Sequence, residues 1–237
     1  MILEVNEIHT YYGQSHILQG ISLEVEKGEI VTLLGRNGAG KTTTLKSILG
    51  IVSPKSGIVR FLGEKISGLP PHIISQRGIS FVPEERRIVP GLTVFENLKI
   101  AMLKNKDKSK TKEKETLDRV MEIFPRLKER LRQEGTSLSG GEQQMLAMAR
   151  GLVSNPVLML VDEPTEGLMP LLVERIGEVL REIQKNGVTI LLVEQNMEMA
   201  LEISQKAYVI DEGVIKYKGL AEEIHTNEEI QRKYLAI

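Results

Sequence analysis

Gly35-Arg36-Asn37-Gly38-Ala39-Gly40-Lys41-Thr42 has the spacing GxxxxGK[ST], and the chemistry it suits is phosphate binding. Glycines let the backbone turn tightly, so that successive N–H groups face one anion. The positive end of a following helix adds to the attraction. In this pattern Lys41 reaches the β- and γ-phosphates, and the Thr42 hydroxyl sits on Mg2+. A second candidate pair is Asp162-Glu163, directly after the apolar run Val157-Leu158-Met159-Leu160-Val161. A carboxylate at the end of a buried strand lies at the sheet edge where α/β proteins bind ligands. Asp162 is placed to hold Mg2+, and Glu163 to orient or deprotonate a water. Alone, this pair is equally well read as a solvated strand end. Together with the phosphate loop it reads as the other half of a nucleotide site. Ser139-Gly140-Gly141-Glu142 is the third. Ser139 and Glu142 form a capping box. The two glycines bare N–H groups at a helix start, which makes a second anion cradle. Two cradles in one chain do not easily wrap one nucleotide unless two copies meet.

These residues need strands and helices to hold them. Ile30-Val31-Thr32-Leu33-Leu34 is a β-branched, apolar run that leads into the phosphate loop, and Thr42 to Leu49 reads as the helix after it. Glu4 and Asn6, then Ile21, Leu23 and Val25, alternate as half-buried strands do. Residues 57–63 and 78–82 read as further strands. From 84 to about 150 helical spacing takes over, as in Val120, Ile123, Phe124 and Leu127. After Val157 the strand–helix alternation returns, with a helix from Pro170 to Lys185 and a buried strand from Val188 to Val193. Asp211-Glu212-Gly213 marks a hairpin. The fold class is therefore α/β with a mostly parallel sheet.

The chain has 237 residues, which suits one large domain or a domain with an inserted part. A net charge of −1 gives no electrostatic case for nucleic acid as a partner. The run from Lys104 to Glu115 alternates Lys with small or acidic residues. It has no interleaved aromatics for stacking on bases, so it reads as a solvated loop or helix start. With no cysteine, thiol catalysis and thiolate metal sites are excluded. The four histidines show no metal-ligand spacing, and the scattered methionines need only a packing role. No apolar stretch approaches about 18 residues, and no signal-peptide pattern is seen, so the expected location is the cytoplasm.

The phosphate loop, Leu138-Ser139-Gly140-Gly141-Glu142 and Leu160-Val161-Asp162-Glu163-Pro164, in this order, resemble the ATPase subunit of an ABC transporter. The resemblance covers essentially the whole chain. It implies a phosphate-loop NTPase core with an N-terminal antiparallel β subdomain and an inserted helical subdomain at about 84–150. It implies ATP and Mg2+ as ligands. It further implies a head-to-tail ATPase dimer, in which Gly35, Arg36, Asn37, Gly38, Ala39, Gly40, Lys41, Thr42 and Thr43 of one chain face Ser139, Gly140 and Gly141 of the other. Tyr12 matches the aromatic that stacks on adenine. Two membrane permease subunits would face the helical subdomain, on the inner face of the cell membrane, and a solute-binding protein would take part indirectly.

Three positions depart from the general family pattern. Glu84 stands where a Gln touches Mg2+ and the attacking water. Gln195 stands where a switch His meets the γ-phosphate, and an amide carries no positive charge at neutral pH. Met169 stands where an Asp makes an intersubunit contact. These departures, with Arg86-Arg87 and Glu166-Gly167-Leu168, resemble the F-type ATPases of branched-chain amino-acid importers. Sister subunits of that type usually keep the His, so a heterodimer is implied beside a homodimer. Rival readings are a lipid or lipopolysaccharide exporter ATPase, a soluble ABC protein of DNA repair or ribosomes, and a phosphate-loop kinase. The soluble class generally needs two cores or a long coiled-coil insertion. A kinase would lack the LSGGE sequence.

Overall fold

The computed structural model describes residues 1–103 and 109–232. The chain starts with β1 (Leu3–Tyr12), β2 (Ser15–Val25), β3 (Ile30–Leu34), α1 (Lys41–Ile48), β4 (Ser56–Phe61) and β5 (Glu64–Lys65). It continues through α2 (Pro71–Gln76), β6 (Ile79–Val82), α3 (Val94–Met102), α4 (Lys110–Ile123), α5 (Pro125–Glu129) and α6 (Gly140–Leu152). The last part holds β7 (Leu158–Asp162), α7 (Pro170–Lys185), β8 (Thr189–Glu194), α8 (Met197–Ile203), β9 (Lys206–Asp211), β10 (Val214–Leu220), α9 (Ala221–Thr226) and α10 (Glu228–Ile230).

Two sheets carry the architecture. An antiparallel sheet has the order β2-β1-β4-β5. A second sheet has the order β10-β9-β3-β8-β7-β6, parallel throughout except for β10 at its edge. Its central strands are buried on both faces, which is why they read as unbroken apolar runs. Alternate residues serve different cores. Val31, Leu33, Leu158, Leu160, Leu191 and Val193 pack with the N-terminal sheet and α1. Ile30, Leu34, Met159, Val161, Ile190 and Leu192 pack with α6, α7 and α8. The expected α/β class, antiparallel sheet and helical insertion are all present.

The β8–β9 connection passes over β3, so β3 lies between β8 and β9. That break in strand order opens a crevice at the C-terminal strand ends. The register sets Asp162 opposite Val193, and Leu34 opposite Glu194. Three strand ends thus share one edge.

Some elements differ from the sequence reading. The alternation of β1 breaks at Glu7, which has φ +47° and marks a shift in pairing with both neighbouring strands. The bulge has room because Gly57 beside it carries no side chain. Helix α2, of six residues, is too brief for periodicity to show. Of the Lys-rich run, Ser109 caps α4 by accepting from Lys112 N, as a helix start should, and residues 104–108 lie outside the described residues. Among the described residues no helix is long and apolar enough to cross a membrane.

The β9–β10 turn has positive φ at both Glu212 and Gly213. Its tip meets the phosphate loop. Gly213 N donates to Ala39 O at 2.9 Å, and Gln19 N donates to Gly213 O at 2.8 Å. A Cβ at Gly213 would collide with the Ile17 carbonyl, whereas one at Gly187, also at positive φ, would meet nothing within 4 Å. Gly187→Ala is expected to cost about 1–2 kcal/mol for the left-handed backbone alone. Gly213→Ala should cost at least about 1 kcal/mol more, because backbone atoms must move. Urea unfolding of the two variants tests this, and equal losses would show that the hairpin yields freely.

Candidate functional site

The phosphate loop leaves β3 at Leu34 and turns at once. Gly35 is obligatory in size, since a Cβ there would strike the Ile210 carbonyl. Gly38 and Gly40 have φ of +81° and +111°. Arg36, Asn37 and Gly38 are exposed, and Ala39 and Gly40 are buried. Helix α1 then begins with no side-chain cap and no acidic residue in its first turn. Its first N–H groups are the donors that a helix leaves unmet, and they suit an anion.

Lys41 is buried, at 3% exposure. Its ammonium donates to Gly35 O at 2.7 Å and Arg36 O at 2.9 Å, and pairs with Glu163 Oε1 at 3.0 Å. Thr42 Oγ1 donates to Asp162 Oδ1 at 2.9 Å. These two contacts tie the loop after β3 to the end of β7 across the intervening β8. Glu163 sits at φ +41°, and its N–H donates to Val193 O at 2.9 Å. Burial pushes the Asp162 carboxyl up to about 6, and the charges of Glu163 and Glu84 add to the rise, against the Thr42 hydrogen bond and Lys46. A hydroxyl and a carboxylate held side by side are hard oxygen donors of the kind Mg2+ takes, and no ion pair neutralises this carboxylate among the described residues. The residues fit that ion.

A cleft of about 240 Å³ is lined by Tyr12, Ile17, Gly38, Gly40, Lys41, Thr42, Thr43 and Glu163. Tyr12 is 45% exposed on it. Its neighbour Tyr11 is occupied elsewhere, stacked on His16 at 4.1 Å. Glu84 and Gln195 are exposed; Gln195 immediately follows β8, and Glu84 lies two residues beyond the end of β6. Glu84 is close enough to act on the charge of Asp162. The Gln195 N–H donates to Glu194 Oε2 at 3.0 Å.

Ser139, Gly140 and Gly141 do not line this cleft. The capping box expected at the start of α6 is present, with Ser139 N donating to Glu142 Oε2 at 3.0 Å. Burial raises the Glu142 carboxyl, but the Ser139 hydrogen bonds and the Arg130 and Arg126 charges outweigh it, so the group lies below its usual range. Arg130 Nε pairs with Glu142 Oε1 at 2.9 Å. The Arg86 guanidinium lies against Gly140 and donates to Gln144 Oε1 at 3.2 Å. Met169 is 69% exposed at the cap of α7.

Three residues at this edge were given no role of their own in the sequence reading. Ile17 lines the cleft from β2. The Glu166 carboxyl hydrogen-bonds that of Glu163, and this contact, with burial and the Glu163 charge, pushes its pKa up. Glu194 is 2% exposed at the end of β8. The strand-end rule that singled out Asp162 applies equally to Glu194.

A parallel sheet with a crossover at β3, a glycine loop opening a helix and a paired Lys41 and Glu163 define a phosphate-loop nucleoside triphosphatase. The ABC transporter family profile matches residues 18–166. The chain is 43% identical to the high-affinity branched-chain amino acid transport ATP-binding protein BraG of Pseudomonas aeruginosa, over 99% of both chains. It is 37% identical to the probable branched-chain amino acid transport protein LivF of Archaeoglobus fulgidus, over 100% of this chain and 99% of that one. It is 35% identical to the lipopolysaccharide export protein LptB of Haemophilus influenzae, over 99% and 97%. A solved ATP-binding subunit of an ABC transporter superposes with a TM-score of 0.84 at 27% identity, over 99% and 96%. The chain belongs to the ABC transporter family, as an ATP-binding and ATP-hydrolysing subunit.

Asp162 gives a pH signature. Its folded pKa lies above the ordinary 3.8, so the stability linked to its proton is complete below about pH 4 and lost as pH rises through about 6. Asp162→Asn is expected to stabilise the empty protein at pH 7.5 by up to about 3 kcal/mol, and not at pH 4. Urea titrations at both pH values check this. A gain independent of pH would contradict it.

Proposed function

We propose that this chain energises an importer of branched-chain amino acids or solutes of similar size. The observation that carries the hydrolytic part is the buried Lys41–Glu163 pair beside the Thr42–Asp162 contact. The solute class rests on similarity along the whole chain to BraG and LivF, joined to the residues Glu84, Gln195 and Met169. Identity to the exporter protein LptB is lower.

In this reading the triphosphate lies along Gly35–Thr42, with adenine on Tyr12 and Thr43 adding a hydroxyl. Lys41 exchanges Glu163 and two carbonyls for phosphate oxygens. That exchange frees Glu163 to take a proton from water. Asp162, Thr42 and Glu84 would hold Mg2+, which would offset the charge of the phosphates. The Gln195 amide donates towards the γ-phosphate in place of a charged group. Ser139, Gly140 and Gly141 come from a second ATPase, either another copy or a sister chain. Two permeases on the inner face of the membrane and a solute-binding protein complete the assembly. A net charge of −1 does not favour nucleic acid.

Glu163→Gln is expected to bind ATP and lose turnover by roughly 10²–10⁴-fold. Its solution mass should double with ATP if identical chains pair, and stay monomeric if a sister chain is required. Near wild-type turnover would remove Glu163 from this role. Gln195→His is expected to raise turnover by restoring a group that can carry charge. An unchanged steady-state rate would show that the amide already serves.

A further inference from the structure

Glu194 lies outside the cleft, yet its carboxylate joins two loops that border it. Oε1 accepts from Thr165 N at 3.1 Å and Thr165 Oγ1 at 2.7 Å. Oε2 accepts from Gln195 N and Asn196 N, both at 3.0 Å. Thr165 stands two residues after Glu163, in a turn where Glu166 N donates to Glu163 O at 3.3 Å and Leu168 N to Thr165 O at 3.2 Å. Asn196 caps α8 through Met199 N at 3.1 Å. One buried side chain therefore holds the turn after Glu163 and the loop of Gln195.

The choice of residue is informative. Among the described residues no Lys, Arg or His pairs with Glu194, and burial raises its pKa against the four hydrogen bonds. A buried carboxylate without a counter-ion is an expensive cap. A neutral side chain could tie one loop. Three backbone N–H groups and a hydroxyl converge here, and only an acceptor-only group of two oxygens serves both sides at once. In Gln the amide NH2 would face either the Gln195 and Asn196 N–H groups or Thr165.

We infer that Glu194 is a positioning residue that makes the Glu163 turn and the Gln195 loop respond to nucleotide as one unit. This rests on the ATPase reading above. The strap sets where Gln195 stands relative to Glu163 without touching the phosphates. Its loss therefore lowers the chemical step and spares nucleotide binding.

The test compares Glu194→Gln with the wild-type protein by amide hydrogen exchange, with and without a non-hydrolysable ATP analogue and Mg2+. In the wild type the amides of 163–168 and 195–199 gain protection together. In E194Q one group keeps its gain and the other loses at least half of it. ATP hydrolysis supplies the second readout: kcat falls at least tenfold while KM for ATP stays within twofold. Thr165→Val, which removes one donor and keeps the shape, gives the same pattern more weakly and serves if E194Q does not fold. Equal protection of both groups in a folded variant, or an unchanged kcat, would overturn the proposal. So would a kcat loss matched by an equal rise in KM or by the unfolded fraction. If the analogue protects nothing in the wild type, the nucleotide reading itself fails, and the strap falls with it.

Discussion

The buried contact between Lys41 and Glu163 is the constraint on which the rest of the site depends. A buried ammonium is tolerable only if each of its three N–H donors finds an acceptor. Here they find Gly35 O, Arg36 O and Glu163 Oε1. The loop must therefore curl so that its own carbonyls face inward, which the glycines allow. The end of β7 must also stand within reach across β8, which the strand order secures. The same contact joins the loop after β3 directly to the residue that follows β7.

Electrostatics around that pair lean strongly to one sign. Asp162, Glu163, Glu166 and Glu84 act on one another, and the cations that moderate them are Lys41 and Lys46. The departures from the general family pattern increase the imbalance. Glu84 adds a charge where an amide is usual, and Gln195 removes a group that could become positive. Burial is the main cause of the raised Asp162 pKa and the hydrogen bond to Glu163 that of Glu166, with the charges of Glu163 and Glu84 adding to both. With a pKa of about 6 the Asp162 carboxyl is mostly ionised at neutral pH, so a divalent cation would meet a charged donor there.

Much of this was legible in the sequence because the motifs sit on elements with strong periodicity. The runs Ile30–Leu34 and Val157–Val161 read as buried strands because both faces are covered. Loop chemistry at their ends could then be placed without coordinates. Contacts between distant segments left no such mark. Gly213 touching Ala39, Ile17 lining the cleft and Glu194 holding Thr165 each join residues far apart in sequence. The bulge at Glu7 was hidden for a different reason. It depends on a missing side chain at Gly57, and a local pattern cannot reveal that.

The second glycine pair shows how a motif can satisfy two demands at once. Read as an anion cradle, Gly140 and Gly141 need no side chain so that N–H groups stay bare. The structure adds a packing reason, since a Cβ at Gly141 would lie 2.7 Å from Leu172 Cδ1 and one at Gly140 3.1 Å from Arg86 Nη1. Glycine there lets α6 approach α7 and the loop after β6. Packing thus favours a small residue most at Gly141, against Leu172. Ser139 is already engaged with Glu142, so the helix needs no further partner to be stable. This helix start lies outside the cleft that holds Lys41, as the proposed pairing of two ATPase chains requires.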